Sequence, residues 1–349
     1  MGIAVGLVGF GLSGRVLHTP LILRAGMRIV GVVTRQEAAV QAAIPGARAL
    51  PDLEALLALP RLDLVVIATP NHLHCPQALA ALDAGKHVVV DKPLALSTLQ
   101  ADRLIAAAER AQRKLAVFQN RRWDSDFLTI RRILAQGLLG PIVAFEARWD
   151  RFRPLIADRW RERADCGGGL LYDLGSHLID QALCLFGMPG WLQAQLWRQR
   201  AGAAVDDGFE IQMGQGTLRL SIASSSLAAD HAQRYRIHGL QGSYRKTGLD
   251  VQEQQLRDGL SPSDPAFGVE PYAQWGQLVR GDSNLAEPVA AEGGRWLEFY
   301  RGVRRSLEQD SAVPVSAEEA RRVLALIETA RRSSEQAHRI ALDGTAALQ

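Results

Sequence analysis

The feature that most constrains the fold is a glycine-rich motif that follows the first apolar run. The run 3–8 leads into GFGLSG, which sets three glycines in the spacing G-x-G-x-x-G. Between a strand and a helix, such glycines allow a tight turn, close approach of the backbone to a pyrophosphate, and free N–H groups at the helix start. The alternative is a glycine-rich turn without a ligand. The context favours a dinucleotide site that includes Gly9, Gly11, Leu12, Ser13 and Gly14.

Short β-branched apolar runs alternate with amphipathic segments over the first third of the chain. After the first run they fall at 28–33, 62–68, 86–90 and 115–119. Ser97 and Gln100 stand in capping-box spacing before one of the helical segments. Apolar strands linked by helices predict a parallel sheet with helices on both faces, which is an α/β, doubly wound Rossmann domain.

After about residue 121 the strands lengthen and alternate, at 141–149, 191–198, 209–225 and 234–239. Gly214 and Gly216 predict a hairpin within the third of these. We therefore predict a Rossmann domain over 1–121 and an α+β domain with a large, mostly antiparallel sheet over 122–349. The last helix, 316–335, could fold back on the first domain.

The composition is that of an ordinary globular protein, with 349 residues, 47% hydrophobic residues and a formal net charge of +3. This near-neutral balance does not favour a nucleic-acid or membrane partner. The apolar start MGIAVGLVGFG is too short for a membrane span and lacks the features of a signal peptide. The three scattered cysteines do not predict disulfides. We expect a cytoplasmic protein.

The end of the second strand indicates which dinucleotide binds. An NAD site commonly places Asp or Glu about 20 residues after the glycines. Here Thr34 and Arg35 occupy that region, and no acid occurs before Glu37. Thr34 and Arg35 can donate to a 2′-phosphate, and Arg15 is a second cation within plausible reach, so the sequence favours NADP over NAD. The alternative is that Arg35 is a solvated loop residue.

A polar turn follows the strand at 62–68. Because the carboxyl ends of parallel strands line the ligand crevice, the turn should face the cofactor with Thr69, Pro70, Asn71 and His72. His72, His74 and Cys75 are crowded too closely along the chain to bind one metal ion together, and no downstream Cys/His pair completes a site. We predict no metal site.

A lysine stands at the end of the strand at 86–90. The chain has 40 Lys plus Arg but only four lysines, so 36 of these cations are arginines. Lys92 lies between Asp91 and Pro93. An ammonium can shift its pKa and exchange protons, whereas a guanidinium effectively cannot, and X-Pro favours an extended conformation. Lys92 is therefore a candidate for proton chemistry.

A second polar pair follows the triple glycine at 167–169. Asp173 and His177 are four residues apart, so both project from one helical face. The alternative is a surface pair.

Three motifs together resemble those of the Gfo/Idh/MocA oxidoreductases: Gly9-x-Gly11-x-x-Gly14, Asp91-Lys92-Pro93 and Asp173-x-Gly175-x-His177. The resemblance extends over essentially the whole chain. Asp91 replaces a more usual Glu. Further segments resemble a subgroup that includes NADP-dependent scyllo-inositol dehydrogenases.

The resemblance implies roles for these residues. Lys92 would lie beside the nicotinamide of the bound cofactor and hydrogen-bond the reacting oxygen, His177 would take its proton, and Asp173 would bind a neighbouring hydroxyl. Asp91 would either lie near the cofactor or hold Lys92 in place. Four weaker candidates for positions near the cofactor are Gln119, Asn120, Arg121 and Trp160.

The predicted function is an NADP(H)-dependent dehydrogenase that interconverts a secondary alcohol of a cyclic polyol or sugar with its ketone. Two alternatives stay open: a glycosidase that oxidises its sugar transiently, and a non-catalytic sugar or nucleotide sensor. Relatives usually form oligomers, which implies a homodimer or homotetramer through the sheet of the second domain.

Overall fold

A computed structural model describes residues 2–283 and 285–342. Contacts divide the chain into two units. The first takes 1–123, 252–267 and 295–321, and the second takes 124–251, 268–294 and 322–349. This differs from a single boundary at residue 121, because two later segments return to the first unit. The start of the last helix also belongs to it.

The first unit is built on a six-stranded parallel sheet in the order β3-β2-β1-β4-β5-β6. Its strands are β1 Ala4–Val8, β2 Arg28–Val33, β3 Arg48–Leu50, β4 Leu64–Ile67, β5 His87–Asp91 and β6 Leu115–Phe118. Every residue of β1, β4 and β6 is buried, as expected where helices cover both faces of a parallel sheet. Full burial of each larger apolar side chain contributes about 1.5–3 kcal/mol. The predicted Rossmann sheet is confirmed.

Helices connect these strands. They are α1 Thr19–Arg24, α2 Glu37–Ala43, α3 Leu53–Leu57, α4 His74–Asp83 and α5 Thr98–Ala111. A wide π-helical turn at Ser13–His18 leads into α1. The side chain of Ser97 caps α5 by accepting the Gln100 N–H at 3.2 Å, as the sequence predicts.

The second unit contains a nine-stranded mixed sheet in the order β14-β13-β12-β11-β7-β10-β9-β8-β15. Its strands are β7 Ile142–Arg148, β8 Trp191–Trp197, β9 Gly208–Gln215, β10 Leu218–Ser225, β11 Gln233–Gly239, β12 Gly242–Thr247, β13 Gln277–Arg280, β14 Ala286–Pro288 and β15 Ile340–Ala341. The described neighbours pair antiparallel except β7 and β10, which pair parallel. The hairpin predicted from Gly214 and Gly216 joins β9 to β10.

Helices α6 Ser125–Ala135 and α7 Ser176–Phe186 belong to the second unit. The remaining helices are α8 Gln252–Arg257 and α9 Leu297–Gln309 in the first unit, and α10 Ala317–Gln336, which begins in the first unit and continues in the second. In the described part of the chain, no helix is both long and apolar enough to cross a membrane.

Candidate active site

The glycine-rich turn lies at the carboxyl end of β1, where the strand order of the sheet reverses. Gly9 has φ +97°, and its N–H donates to the Val33 carbonyl oxygen at 3.2 Å. A Cβ at Gly9 would lie 2.6 Å from the Ala68 carbonyl oxygen, and one at Gly14 would lie 2.1 Å from that of Gly9. Only glycine fits either position.

Gly11 differs from these two glycines, because a Cβ there would meet nothing within 4 Å. Packing inside the protein therefore does not explain this glycine, whereas close approach of a phosphate group does. The helix that follows has no side-chain cap at its Leu12 N-terminus, so its first N–H groups can serve an anion. The turn fits the pyrophosphate of a dinucleotide.

The end of β2 presents Thr34 and Arg35. The Thr34 hydroxyl accepts the Gln36 N–H at 3.1 Å and keeps its own hydrogen available for donation. Arg35 is exposed and has no ion-pair partner among the described residues. Glu37 lies in the first turn of α2 and is also exposed.

The polar side chains of the turn after β4 differ in burial and in hydrogen bonding. Thr69 donates its hydroxyl to Gln77 Oε1 at 2.7 Å, and Asn71 is buried. The Nδ1 atom of His72 is buried, and no described residue forms a hydrogen bond with it. A buried polar atom without a partner is uncommon in a folded protein, so His72 has bonding capacity for a ligand. Pro70 precedes the 3-10 turn Asn71–Leu73.

His74 is buried against two backbone turns. Its Nδ1 lies 2.7 Å from the Pro93 carbonyl oxygen, and its Nε2 lies 2.9 Å from that of Thr69. Burial lowers the pKa of His74, against the raising effects of Pro93, Asp91 and Thr69. His74 therefore ties the turn after β4 to the turn after β5, a role that its sequence position does not reveal.

Lys92 follows β5 directly and is half-buried, and its bond to Pro93 is cis. The Lys92 backbone N–H donates to Asp91 Oδ1 at 2.8 Å. Asp91 Oδ2 accepts the Ser13 hydroxyl at 2.5 Å and lies 3.4 Å from His18 Nε2. Burial would raise the pKa of Asp91, but hydrogen bonding and charge from His18, together with Lys92 and Ser13, hold it well below its usual range.

Gln119, Asn120 and Arg121 follow β6 and are all buried. The Arg121 guanidinium pairs with Glu253 at 2.5 Å and lies over the Trp296 ring at 4.7 Å. It is therefore engaged in packing within the first unit.

The second unit carries Asp173 and His177. The segment is not one regular α-helix, because a wide π-helical turn at Leu171–Gly175 precedes α7. Asp173 accepts a hydrogen bond from Arg151 Nη1 at 3.2 Å and lies 3.4 Å from Arg161 Nε. His177 is buried, and its ring stacks on Trp149 with 5.9 Å between centroids.

The glycines before this turn are packed tightly. Gly169 has φ +112°, and a Cβ there would lie 2.4 Å from an Asp206 carboxylate oxygen. Trp160 is half-buried, and the Arg161 guanidinium lies over it, 4.4 Å from the centroid of the Trp160 ring.

Sequence reasoning missed the two arginines on Asp173, which are Arg151 and Arg161. Arg151 and Arg161 are ten residues apart in an arginine-rich segment, and this spacing gives no signal that both lie against one carboxylate.

The described residues include no group of three or more His, Cys, Asp or Glu side chains placed to hold a metal ion. His72, His74 and Cys75 are close in sequence, but the two ring nitrogens of His74 lie 2.7 and 2.9 Å from backbone carbonyl oxygens.

Comparisons with known proteins agree with this architecture. Residues 3–119 match the GFO_IDH_MocA oxidoreductase family, NAD-binding Rossmann fold, and residues 131–342 match its C-terminal alpha/beta domain. The chain is 37% identical to scyllo-inositol 2-dehydrogenase (NADP(+)) IolW of Bacillus subtilis, over 98% of this chain and 96% of that protein. It is 40% identical to the uncharacterized oxidoreductase YdgJ of Escherichia coli, over 97% and 98%.

A solved structure of yvaA from Bacillus subtilis superimposes with a TM-score of 0.94 at 37% identity, covering 98% of both chains. Both domain models match in order along the chain, and together they cover most of it. The chain therefore belongs to the Gfo/Idh/MocA oxidoreductases, with an N-terminal NAD(P)-binding Rossmann domain.

Proposed function

We propose that this protein is an NADP(H)-dependent dehydrogenase that interconverts a secondary alcohol of a cyclic polyol or sugar with its ketone. The observation that carries the proposal is Lys92, a half-buried ammonium at the carboxyl end of β5, in the unit that holds the glycine-rich turn. The similarity to IolW, a protein named for scyllo-inositol and NADP, supports this substrate class and cofactor.

The end of β2 supports the choice of NADP. Arg35 is an exposed guanidinium without a described ion-pair partner, and Thr34 keeps a hydroxyl hydrogen to donate. Both groups suit a 2′-phosphate, which a carboxylate in their place would repel. We propose that Gly9, Gly11, Leu12, Ser13 and Gly14 hold the pyrophosphate and that Arg35 contacts the 2′-phosphate.

Two side chains of this protein, Lys92 and His177, would carry the proton chemistry. The bound nicotinamide supplies the acceptor or donor of hydride. The Lys92 ammonium donates a hydrogen bond to the reacting oxygen and stabilises its negative charge as hydride is transferred. His177 takes the hydroxyl proton in oxidation and returns it in reduction.

Asp173 would orient the substrate through a neighbouring hydroxyl group. Arg151 and Arg161 already occupy part of its hydrogen-bonding capacity and restrict its orientation. The buried ring of His177, stacked on Trp149, is similarly restricted. Such restriction reduces the entropy lost when the substrate is positioned.

The test is a spectrophotometric screen of inositols and common aldoses, with NADP and NAD in parallel. We expect turnover of a cyclic polyol or sugar with NADP preferred, and its loss in Lys92→Ala with the dinucleotide Kd nearly unchanged. Tight NADP binding without turnover of any compound would contradict the dehydrogenase proposal and favour a sensor. Glycoside cleavage without net release of reduced cofactor would favour a hydrolase.

We also propose that the protein forms a homodimer or homotetramer through the nine-stranded sheet. Residues alternate between buried and exposed along β8, with Gln193 and Gln195 exposed, so the strand presents one face outward. Light scattering at several protein concentrations tests this. A monomer at every concentration would contradict it.

A further inference from the structure

A buried chain of hydrogen bonds ends on the carboxylate beside Lys92. His18 and Tyr300 are both fully buried, and His18 Nδ1 lies 2.5 Å from the Tyr300 hydroxyl oxygen. On the other side of the ring, His18 Nε2 lies 3.4 Å from Asp91 Oδ2. We call these three residues, with Ser13, the Asp91 network. All four belong to the first unit.

The tautomer of His18 follows from its neighbours. The Asp91 carboxylate can only accept, so Nε2 carries a hydrogen directed at it, and the Tyr300 hydroxyl pairs with Nδ1. The opposite tautomer would set the Nε2 lone pair against a carboxylate, which is unfavourable. A separation of 3.4 Å is long for a hydrogen bond, so electrostatic attraction contributes much of this contact.

The Asp91 network joins parts of the first unit that are far apart in sequence. Ser13 belongs to the glycine-rich turn, and its hydroxyl donates to Asp91 Oδ2. The other carboxylate oxygen, Oδ1, accepts the Lys92 backbone N–H. Tyr300 lies in α9 and is 282 residues from His18 along the chain. One carboxylate therefore contacts both the turn and the lysine to which we assign the chemistry.

We propose that His18 and Tyr300 are positioning residues, which fix the Asp91 carboxylate so that it aligns Lys92 with the glycine-rich turn. This inference rests on the proposed function, because it gives Lys92 the catalytic role. It assigns His18 and Tyr300 no contact with substrate or cofactor, and it gives Asp91 a role in alignment. It also explains why a histidine and a tyrosine are buried together beneath the site.

The charges around Asp91 determine its pH behaviour. The titratable groups that act on it are His18 and Lys92, Tyr300 opposite the imidazole, and His74 from α4. Burial and the charge of Asp91 raise the pKa of Tyr300 well above its usual value, so its hydroxyl stays a donor. Without His18, burial would raise the pKa of Asp91, and the carboxylate would take up a proton at a higher pH.

The experiment compares His18→Leu, His18→Gln and Tyr300→Phe with the full-length wild-type protein. Glutamine keeps an N–H donor near the position of Nε2, whereas leucine does not. Tyr235→Phe is the matched control, because it removes a buried hydroxyl that donates to Gln181 in the second unit. The measurements are kcat from pH 5 to 9, the KM for dinucleotide, and the ¹⁵N shifts of the His18 ring.

We expect an Nε2–H ring in the wild type. In His18→Leu we expect kcat about tenfold lower and its acid limb moved to higher pH, with the dinucleotide KM within about threefold. His18→Gln should recover most of both losses. Tyr300→Phe should show a smaller loss of kcat, so the test survives if His18→Leu does not fold. Tyr235→Phe should keep the wild-type profile.

Three results would overturn the proposal. They are a wild-type His18 ring with a hydrogen on Nδ1 and none on Nε2, wild-type kcat and pH profile in both His18→Leu and Tyr300→Phe, or no recovery in His18→Gln. If the wild type oxidises none of the polyols or sugars, the proposed function fails by itself. The ¹⁵N spectrum then still decides whether His18 directs its hydrogen at Asp91.

Discussion

Two glycines of the same motif should respond differently to the same substitution. Gly14→Ala places a Cβ 2.1 Å from the Gly9 carbonyl oxygen, whereas Gly11→Ala places one in open space. Real Cβ atoms do not approach oxygen closer than about 3 Å, so at Gly14 the backbone must move by roughly 1 Å. Because the Cβ is fixed to its own backbone and the atom that it meets is a backbone oxygen, no side-chain rotation relieves the clash.

The magnitudes follow from this geometry. Gly14→Ala should lower the free energy of unfolding by about 1–3 kcal/mol, as overpacking does. Gly11 has no left-handed φ, so Gly11→Ala should leave stability unchanged or raise it by about 0.4–1 kcal/mol. Both should weaken dinucleotide binding. For Gly11→Ala we expect at least a tenfold rise in Kd, about 1.4 kcal/mol, because the new methyl occupies the approach of the pyrophosphate.

The assay is thermal unfolding with and without NADP, combined with tryptophan fluorescence titration. Neither requires knowledge of the substrate. Gly11→Ala should melt like the wild type without ligand and lose most of the increase in Tm that NADP produces. If Gly11→Ala binds NADP with wild-type affinity, the glycine-rich turn does not hold the pyrophosphate as described. If Gly14→Ala is as stable as the wild type, the steric reasoning is wrong.

The remaining predictions concern charges and proton transfer. Arg35→Ala should raise the Kd for NADP about tenfold and leave that for NAD unchanged, which parallel titrations measure. His177→Asn should lower kcat by about 10²–10⁴ with the dinucleotide Kd within about threefold, as stopped-flow and fluorescence data would show. Burial opposes ionisation of Glu253, but Arg121 and Arg257 lower its pKa to about 2, below its ordinary 4.5. Its stabilising contribution is therefore complete above about pH 4.5 and lost as pH falls through about 2. It is at most about 3 kcal/mol, and acid unfolding of Glu253→Gln should lack that dependence.

The sequence predicted those parts of the fold that local patterns encode. The strands of the parallel sheet are continuous apolar runs. Because β1, β4 and β6 are buried on both faces, every position in them is apolar, and the strands are easy to recognise in the sequence. The Ser97 cap and the β9–β10 hairpin depend on residues a few positions apart. The return of 252–267 and of 295–315 to the first unit was not predicted, because periodicity carries no information about which sheet a helix covers.

The candidate site was predictable only where a residue lies at the end of a strand. Lys92 and Thr34 were chosen as candidates because the carboxyl ends of parallel strands line the crevice. The network behind Lys92 could not be found in this way, since His18 and Tyr300 are 282 residues apart and neither sits in a recognisable motif. Arg151 and Arg161 were missed for a related reason. The chain has 36 arginines, and their order in the sequence does not show which of them contact the same carboxylate.

The scarcity of lysine is weaker evidence than the position of Lys92. Lys114 pairs with Asp310 at 2.7 Å, and Lys246 lies 3.2 Å from Glu270 in the interior of the second unit. At least two of the four lysines therefore form ion pairs, as arginines do elsewhere in the chain. Lys92 differs because it directly follows a buried parallel strand at the ligand edge of the sheet, with its backbone N–H held by Asp91. A strand end fixes the start of a side chain, while the flexible stem leaves the ammonium able to follow a charge that forms during reaction. Position together with residue type, and not rarity, makes Lys92 the candidate for the chemistry.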